Sequence, residues 1–231
     1  MESLKSCPND FDEVVIADDG SHEAAVQEIE DAIPHYPFPI VHAWHPRDGA
    51  RRAACRNNGI RHAGGDYLVF FDADFAVLPG AVKSHVDAAK SGYFAAGRCK
   101  YTTEEQTNDL FSQKMSSDTL EKIYNELPEE PIIKEHREFV RYGMLRKLHL
   151  ASARKQTFGG HFSIYKRDIE SINGYDENFI GWGGEDQDMA MRLVMAGFRG
   201  TSVIKNARVL HLWHPREIGN KHWKEGTNVD Y

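Results

Sequence analysis

Five consecutive apolar residues, Tyr67-Leu68-Val69-Phe70-Phe71, run straight into Asp72-Ala73-Asp74. An uninterrupted apolar run of this length reads as a strand buried on both faces, the setting of a mainly parallel sheet covered by helices. Carboxylates just past the carboxyl end of such a strand stand where open α/β sheets bind their ligands. The rest of the first half agrees. Val14-Val15-Ile16-Ala17 reads as a second buried strand that ends in Asp18-Asp19-Gly20-Ser21, followed by a helix from Glu23 to Ile33 and a strand from Ile40 to Trp44. Arg47 to Ala63 is helical in pattern and Gly64-Gly65 is placed to end it. Gly92 to Gly97 returns to the sheet, a helix runs from Asp186 to Ala196, and Val203 to Leu212 supplies one or two closing strands. This alternation predicts the α/β class.

Composition removes several alternatives. With 231 residues the chain suits one large domain or one domain with an appended lobe, and 41% hydrophobic with 27% charged residues is ordinary for a folded globular protein. Lys and Arg number 28 against 35 Asp and Glu, a net charge of −7 that argues against a broad nucleic-acid-binding face. Three cysteines, Cys7, Cys55 and Cys99, with no Cys-X-X-Cys spacing suggest neither a disulfide framework nor a thiolate zinc site. No apolar run approaches the roughly 20 residues of a membrane span, and Met1 to Ser6 leads into no apolar signal-peptide region. The expected location is cytoplasmic.

The middle of the chain, from Thr102 to Lys155, is polar and rich in helix formers. Between Lys134 and Lys155 seven basic residues stand against two acidic ones, an excess of five positive charges. That segment is either a solvated helical face or a surface for an anionic acceptor or lipid headgroup, a candidate peripheral contact at the inner membrane face.

Three constellations carry chemistry. Asp72 and Asp74, separated by one residue, can share a divalent ion, and their hard oxygens suit Mg²⁺ or Mn²⁺. Asp18 and Asp19 form a second carboxylate turn, whose residues can cap the following helix, face the cleft, or do both. Arg51, Arg52, Arg56 and Asn57 stand on the intervening helix, where arginine forks suit either a diphosphate or the neighbouring carboxylates. In Gly181-Trp182-Gly183-Gly184-Glu185-Asp186-Gln187-Asp188 an indole on flexible backbone offers a platform for a sugar ring. Glu185 and Asp186 follow at a helix N-terminus, where an ionised carboxylate beside a bound hydroxyl is a general base in position. His211 and His214, in Val209-Leu210-His211-Leu212-Trp213-His214-Pro215, are either core and surface histidines, or one of them is placed to complete the shell of an ion at Asp72–Asp74; a zinc hydrolase using both lacks a third nitrogen ligand at helical spacing.

Asp18-Asp19-Gly20-Ser21, Arg56-Asn57-Asn58-Gly59-Ile60 and Asp72-Ala73-Asp74 resemble the nucleotide half of the inverting GT-A glycosyltransferases of family 2. Phe158-Gly159-Gly160, Asn173-Gly174-Tyr175-Asp176 and Gly181 to Asp188 resemble the carboxy-terminal half of β-1,4-galactosyltransferases and of the N-acetylgalactosamine-transferring domain of bacterial chondroitin synthases. The resemblance spans Asp12 to Pro215 and implies a GT-A, Rossmann-like domain. It divides the chain into a nucleotide-binding half (1–100), a helical variable insert (101–155), an acceptor-binding and catalytic half (156–215) and a tail (216–231).

Residue by residue, the resemblance implies that Asp19 meets the uracil of a UDP-sugar donor and that Arg56 lies near its diphosphate. Asp74 would bind Mn²⁺ or Mg²⁺ directly, with Asp72 near the ribose and the ion and His211 as the metal-binding histidine. Trp182 and Glu185 would hold a saccharide or glycolipid acceptor, with Asp186 as the base, and UDP would leave with inversion at the anomeric carbon. Gly160 belongs to the donor pocket, as does Thr157. In the galactosyltransferases the residue before Phe-Gly-Gly is bulky and crowds the donor's 2-substituent, so the smaller Thr157 implies room for an N-acetyl group. The family's usual first strand has no counterpart here: Met1 to Pro8 aligns with the end of the helix that follows it, which predicts an exposed sheet edge. Two other readings stay open, a non-catalytic UDP-sugar or glycan-binding remnant and a retaining transferase with no base at Asp186.

Overall fold

The computed structural model describes residues 1–152, 158, 160–181 and 183–215. The chain opens on a short 3-10 turn, Glu2–Ser6, and reaches strand β1, Val14–Asp18. Helix α1, Glu23–Ala32, then returns the chain to β2, Ile40–Trp44, which pairs in parallel with β1 from Val14 opposite Ile40 to Asp18 opposite Trp44. Helix α2, Arg52–His62, packs against both strands; Gly59 lies so close that a Cβ there would stand 3.1 Å from that of Ala17. The helix predicted from Arg47 starts five residues later, because Asp48 and Gly49, the latter at φ +70°, turn the chain first. Its end also departs from expectation. Ala63 closes the helix, and the amides of Gly64 and Gly65 donate to Glu13 Oε1 at 2.6 and 2.9 Å instead of serving as a left-handed cap.

Strand β3, Tyr67–Phe70, delivers Asp72-Ala73-Asp74 to the turn before β4, Phe75–Val77. Helix α3, Ala81–Asp87, then leads to β5, Tyr93–Ala96, and β6, Lys100–Tyr101. Three helices fill the middle: α4, Glu104–Ser112, α5, Ser117–Glu126, and α6, Glu130–Lys147. A reciprocal capping box between Thr103 and Gln106 starts α4. Ile132 and Phe139 of α6 point into the core while Lys134, Arg137 and Arg141 remain exposed. No helix among the described residues is long and apolar enough to cross a membrane. Strand β7, Phe162–Tyr165, precedes α7, Lys166–Glu170, and α8, Glu185–Met195, and the described chain closes with β8, Arg199–Ser202, and β9, Val209–His211.

The class is α/β, but the sheets are mixed rather than mainly parallel. β7 inserts antiparallel between β3 and β5, β8 adds in parallel to β5, and a smaller sheet runs β4-β9-β6. Apolarity reports burial and not direction, so the run at 67–71 could not distinguish the two orientations. The closing strands also sit differently: β8 ends at Ser202, and Val203 begins a turn in which Ala207 N bonds Val203 O. Among the described residues β1 pairs only with β2, and β3 only with β7. The main core gathers Phe94, Phe158, Phe162, Ile164, Ile169, Tyr175, Met189 and Leu193 between the four-stranded sheet and α8, with Phe158 and Phe162 stacked at 4.0 Å.

Candidate active site

Four chain segments meet at one end of the sheets: the turns after β1 and β3, the N-terminus of α8 and the end of β9. At the first, Asp18 is buried and committed to structure, accepting from Ser21 N at 2.8 Å and bonding His42 Nε2 at 2.8 Å. The cap of α1 is neither aspartate nor Ser21: His22 Nδ1 accepts from Ala25 N at 3.1 Å. Asp19 is thereby left for the cleft. Its Oδ2 accepts from Arg51 N at 2.8 Å, while Oδ1 lies 3.2 Å from His45 Nε2 in a geometry that gives neither atom a hydrogen bond.

The second turn separates its two carboxylates. Asp72 Oδ1 accepts from Arg56 Nη2 at 2.9 Å. Asp74 instead turns toward the end of β9, where its Oδ2 lies 3.3 Å from His211 Nε2 and 3.4 Å from His214 Nε2. Backbone contacts fix this juxtaposition: Leu212 N donates to Asp74 O at 2.8 Å, and the ring of Phe75 stands 5.5 Å from that of His211.

Both imidazoles bond a main-chain carbonyl through Nδ1, His211 to Leu212 O at 2.9 Å and His214 to Pro215 O at 3.1 Å. A carbonyl only accepts, so each Nδ1 carries a proton, and in the neutral form of such a ring Nε2 presents a lone pair toward the Asp74 carboxylate. Lone pairs so arranged repel unless a cation stands among them. Asp74 Oδ1 is also buried without a hydrogen-bond partner among the described residues. One carboxylate and two imidazoles, with ligand atoms within 4.8 Å of one another, suit a divalent ion of the Mn²⁺ type. His214 therefore joins Asp74 and His211 in this group, whereas Asp72 is turned away to Arg56. The His211–His214 pairing is hard to see in sequence because i, i+3 spacing brings two side chains together predictably only in a helix, and here the chain bends just past a strand.

At the third segment, Gly181, Gly183 and Gly184 adopt positive φ of 85°, 96° and 96°, which a side chain would oppose, and the chain then enters α8. Glu185 is buried and Asp186 half-buried, and both accept from Arg56 Nη1, at 3.2 and 3.1 Å. The Tyr175 hydroxyl donates to the same Asp186 Oδ1 at 3.2 Å. Tyr175 is itself held by Asn57, which accepts from Tyr175 N at 2.8 Å and donates to Tyr175 O at 2.9 Å. Gly174 makes that approach feasible, since a Cβ there would stand 2.4 Å from Asn57 Oδ1.

Burial raises the Asp186 carboxyl above its usual range, against the opposing pull of Arg56; Glu185 and Asp72 add to the rise and the Tyr175 hydrogen bond reduces it. The N-terminal position on α8 therefore does not leave it a strong acid. An elevated but hydrogen-bonded, half-buried carboxyl is suited to taking a proton. Gly160, at φ +85°, packs against Phe75, whose Cζ would lie 3.0 Å from an added Cβ. Thr157 and Trp182 lie outside the described residues, as do Gly159 and the tail. Tyr175 and Asn57 were visible in the sequence without an assigned part, because only the fold brings α2 beside residues 173–177.

An α/β domain with carboxylates gathered at its strand ends and at a helix N-terminus is arranged to bind a ligand at that end of the sheets. The sequence profile of glycosyl transferase family 2 matches residues 1–171, and the chain belongs to that family. A second profile, the N-terminal domain of galactosyltransferase, matches residues 141–215. Chondroitin synthase from Escherichia coli is 26% identical over 228 residues, covering 94% of this chain and 32% of that protein. Human β-1,4-galactosyltransferase 1 is 38% identical over 69 residues, 29% of this chain and 17% of that protein. The chain thus spans a third or less of the length of these relatives. Among solved structures, GalNAc-T7 with UDP, GalNAc and Mn²⁺ superposes with a TM-score of 0.56 at 15% identity, over 88% of this chain and 38% of that one. The fold is GT-A, and the chain is a member of glycosyl transferase family 2 that carries a galactosyltransferase-type segment.

Proposed function

We propose that this chain transfers a hexosyl or N-acetylhexosaminyl group of the galactose type from a UDP-sugar to a saccharide hydroxyl, with inversion. The observation that carries the reading is that Arg56 joins Asp186 to Asp72, two residues along the chain from the Asp74–His211–His214 group. Asp74, His211 and His214 are the residues that would hold a divalent ion, with Asp72 beside them. Such an ion neutralises a diphosphate and stabilises it as a leaving group.

The chain's own residues supply the rest. Asp19 Oδ1, which has no hydrogen-bond partner among the described residues, would accept from the uracil N–H. Glu185 and Trp182 hold the acceptor sugar, and Asp186 takes the proton of its hydroxyl as that oxygen attacks the anomeric carbon. One C–O bond forms to the acceptor and one breaks to the β-phosphate, which leaves with the electron pair, so the configuration inverts. Gly160 is assigned to the donor pocket, and Thr157 to the side of the donor's 2-substituent. The small Thr157 favours acceptance of UDP-GalNAc at least as well as UDP-galactose, and the exposed Lys134, Arg137 and Arg141 supply positive charge for an anionic or lipid-linked acceptor.

A donor screen by UDP release, followed by NMR of the product's anomeric proton, tests the reading. Transfer from UDP-GalNAc or UDP-galactose to a β-linked product is expected. Retention of configuration would exclude a single displacement assisted by Asp186, and turnover of UDP-galactose with none of UDP-GalNAc on any acceptor would exclude the role given to Thr157.

A further inference from the structure

One guanidinium bonds both sides of the site. Arg56, on α2, reaches Asp72 at the end of β3 through Nη2 and both Glu185 and Asp186 on α8 through Nη1. Its carbon lies 5.3 Å from the centre of the Tyr175 ring, and the hydroxyl of that ring bonds the same Oδ1 of Asp186 that Arg56 bonds. Asn57, the next residue of α2, fixes Tyr175 through two main-chain hydrogen bonds. Arg56 and Tyr175 are therefore placed by one helix turn, and both act on one carboxylate oxygen.

We propose that Arg56 is a positioning residue for the transfer step: it holds the carboxylate of Asp186 in its reacting orientation and ties that base to Asp72 on the donor side, rather than gripping the diphosphate. The inference rests on the reading of Asp186 as the base. Drawing Arg56 away to a phosphate would break three charge-assisted hydrogen bonds and leave three neighbouring carboxylates without their shared cation, a costly exchange in a site of this burial. A lysine keeps the charge but not the fork, so it cannot hold Asp72 and Asp186 together.

The test compares Arg56→Ala and Arg56→Lys with the wild type for UDP binding in Mn²⁺, for kcat, and for chemical rescue by ethylguanidinium. Loss of orientation predicts a kcat lower by about 100-fold in Arg56→Ala and by about tenfold in Arg56→Lys, with UDP affinity changed by less than about threefold. Ethylguanidinium should restore part of the kcat of Arg56→Ala, which a purely structural defect would not permit. UDP affinity reduced more than about tenfold with kcat retained would overturn the proposal and make Arg56 a diphosphate ligand. If the wild type transfers no sugar from any UDP-sugar, it is the reading of the reaction that fails. The tether is then judged from unfolding of Arg56→Lys, Asp186→Asn and the double variant: non-additive effects support it and additive ones overturn it.

Discussion

The Tyr175 hydroxyl stands 3.2 Å from Asp186 Oδ1, the oxygen that Arg56 Nη1 also reaches at 3.1 Å. Both contacts favour the ionised carboxylate, while burial and the charges of Glu185 and Asp72 favour the protonated one, and the balance lies above the ordinary carboxyl range. A base must be ionised to act, so kcat should fall on the acid side at a pH above the normal titration of an aspartate. Tyr175→Phe removes one stabiliser of the anion and should move that acid limb to higher pH, with kcat at its plateau reduced by less than about tenfold, the scale of one hydrogen bond. A pH profile of both proteins with saturating donor checks this, and an acid limb that moves downward contradicts it.

His211 and His214 should share the burden of cation binding with Asp74. His214→Ala is expected to raise the Mn²⁺ dissociation constant by at least about tenfold, since one of the three clustered ligands is lost. His211→Ala should do the same, whereas Asp72→Asn, whose oxygen is turned to Arg56, should weaken Mn²⁺ less. Titration followed by electron paramagnetic resonance reads the three constants. EDTA should abolish transfer and Mn²⁺ restore it; an undiminished rate in EDTA sinks the assignment.

Gly97 makes room for a buried histidine. A Cβ at this position would lie 1.8 Å from His161 Cε1, and the ring cannot yield because it bonds His85 Nε2 at 2.8 Å on one side and the Arg98 carbonyl at 3.1 Å on the other. Gly97→Ala should therefore destabilise the fold by at least about 2 kcal/mol, the scale of overpacking in a closed core. Urea unfolding of the variant measures the change.

The same histidines make stability depend on pH. Burial lowers His161 to about 4 and holds His85 well below its ordinary value. The unfolded chain protonates these groups near pH 6.5 while the folded chain resists, so their contribution is complete above that pH and is lost as the pH falls toward 4. His161 alone should cost about 2 kcal/mol between pH 7 and pH 5. Unfolding free energies at the two values check this, and equal stabilities contradict it.

Local patterning made some strands legible: Ile40–Trp44 forms as the sequence indicates, and Tyr67–Phe70 ends one residue before the apolar run does, whereas Phe75–Val77, Lys100–Tyr101, Phe162–Tyr165 and Arg199–Ser202 carried no marked pattern. Strand direction was not legible, because an apolar side chain is equally buried in either orientation, so the antiparallel insertion of Phe162–Tyr165 had no sequence counterpart. At the site, motif spacing marked Asp72, Asp74 and Asp186, whose surroundings are local turns. It did not reveal that Asp72 would face Arg56 and Asp74 would face His214, since those partners are 16 and 140 residues away along the chain. The cap of α1 by His22 was likewise hidden, because three better capping side chains precede it at 18, 19 and 21.

Asp186→Asn tests the central claim most directly, because it preserves shape and removes only the capacity to take a proton. Transfer measured in a single turnover with saturating UDP-sugar and acceptor should fall by about 1,000-fold or more, within the range attributed to a general base, while Mn²⁺-dependent UDP binding stays as in the wild type. Transfer at a rate close to wild type would show that Asp186 is not the base and that the proton leaves by another route.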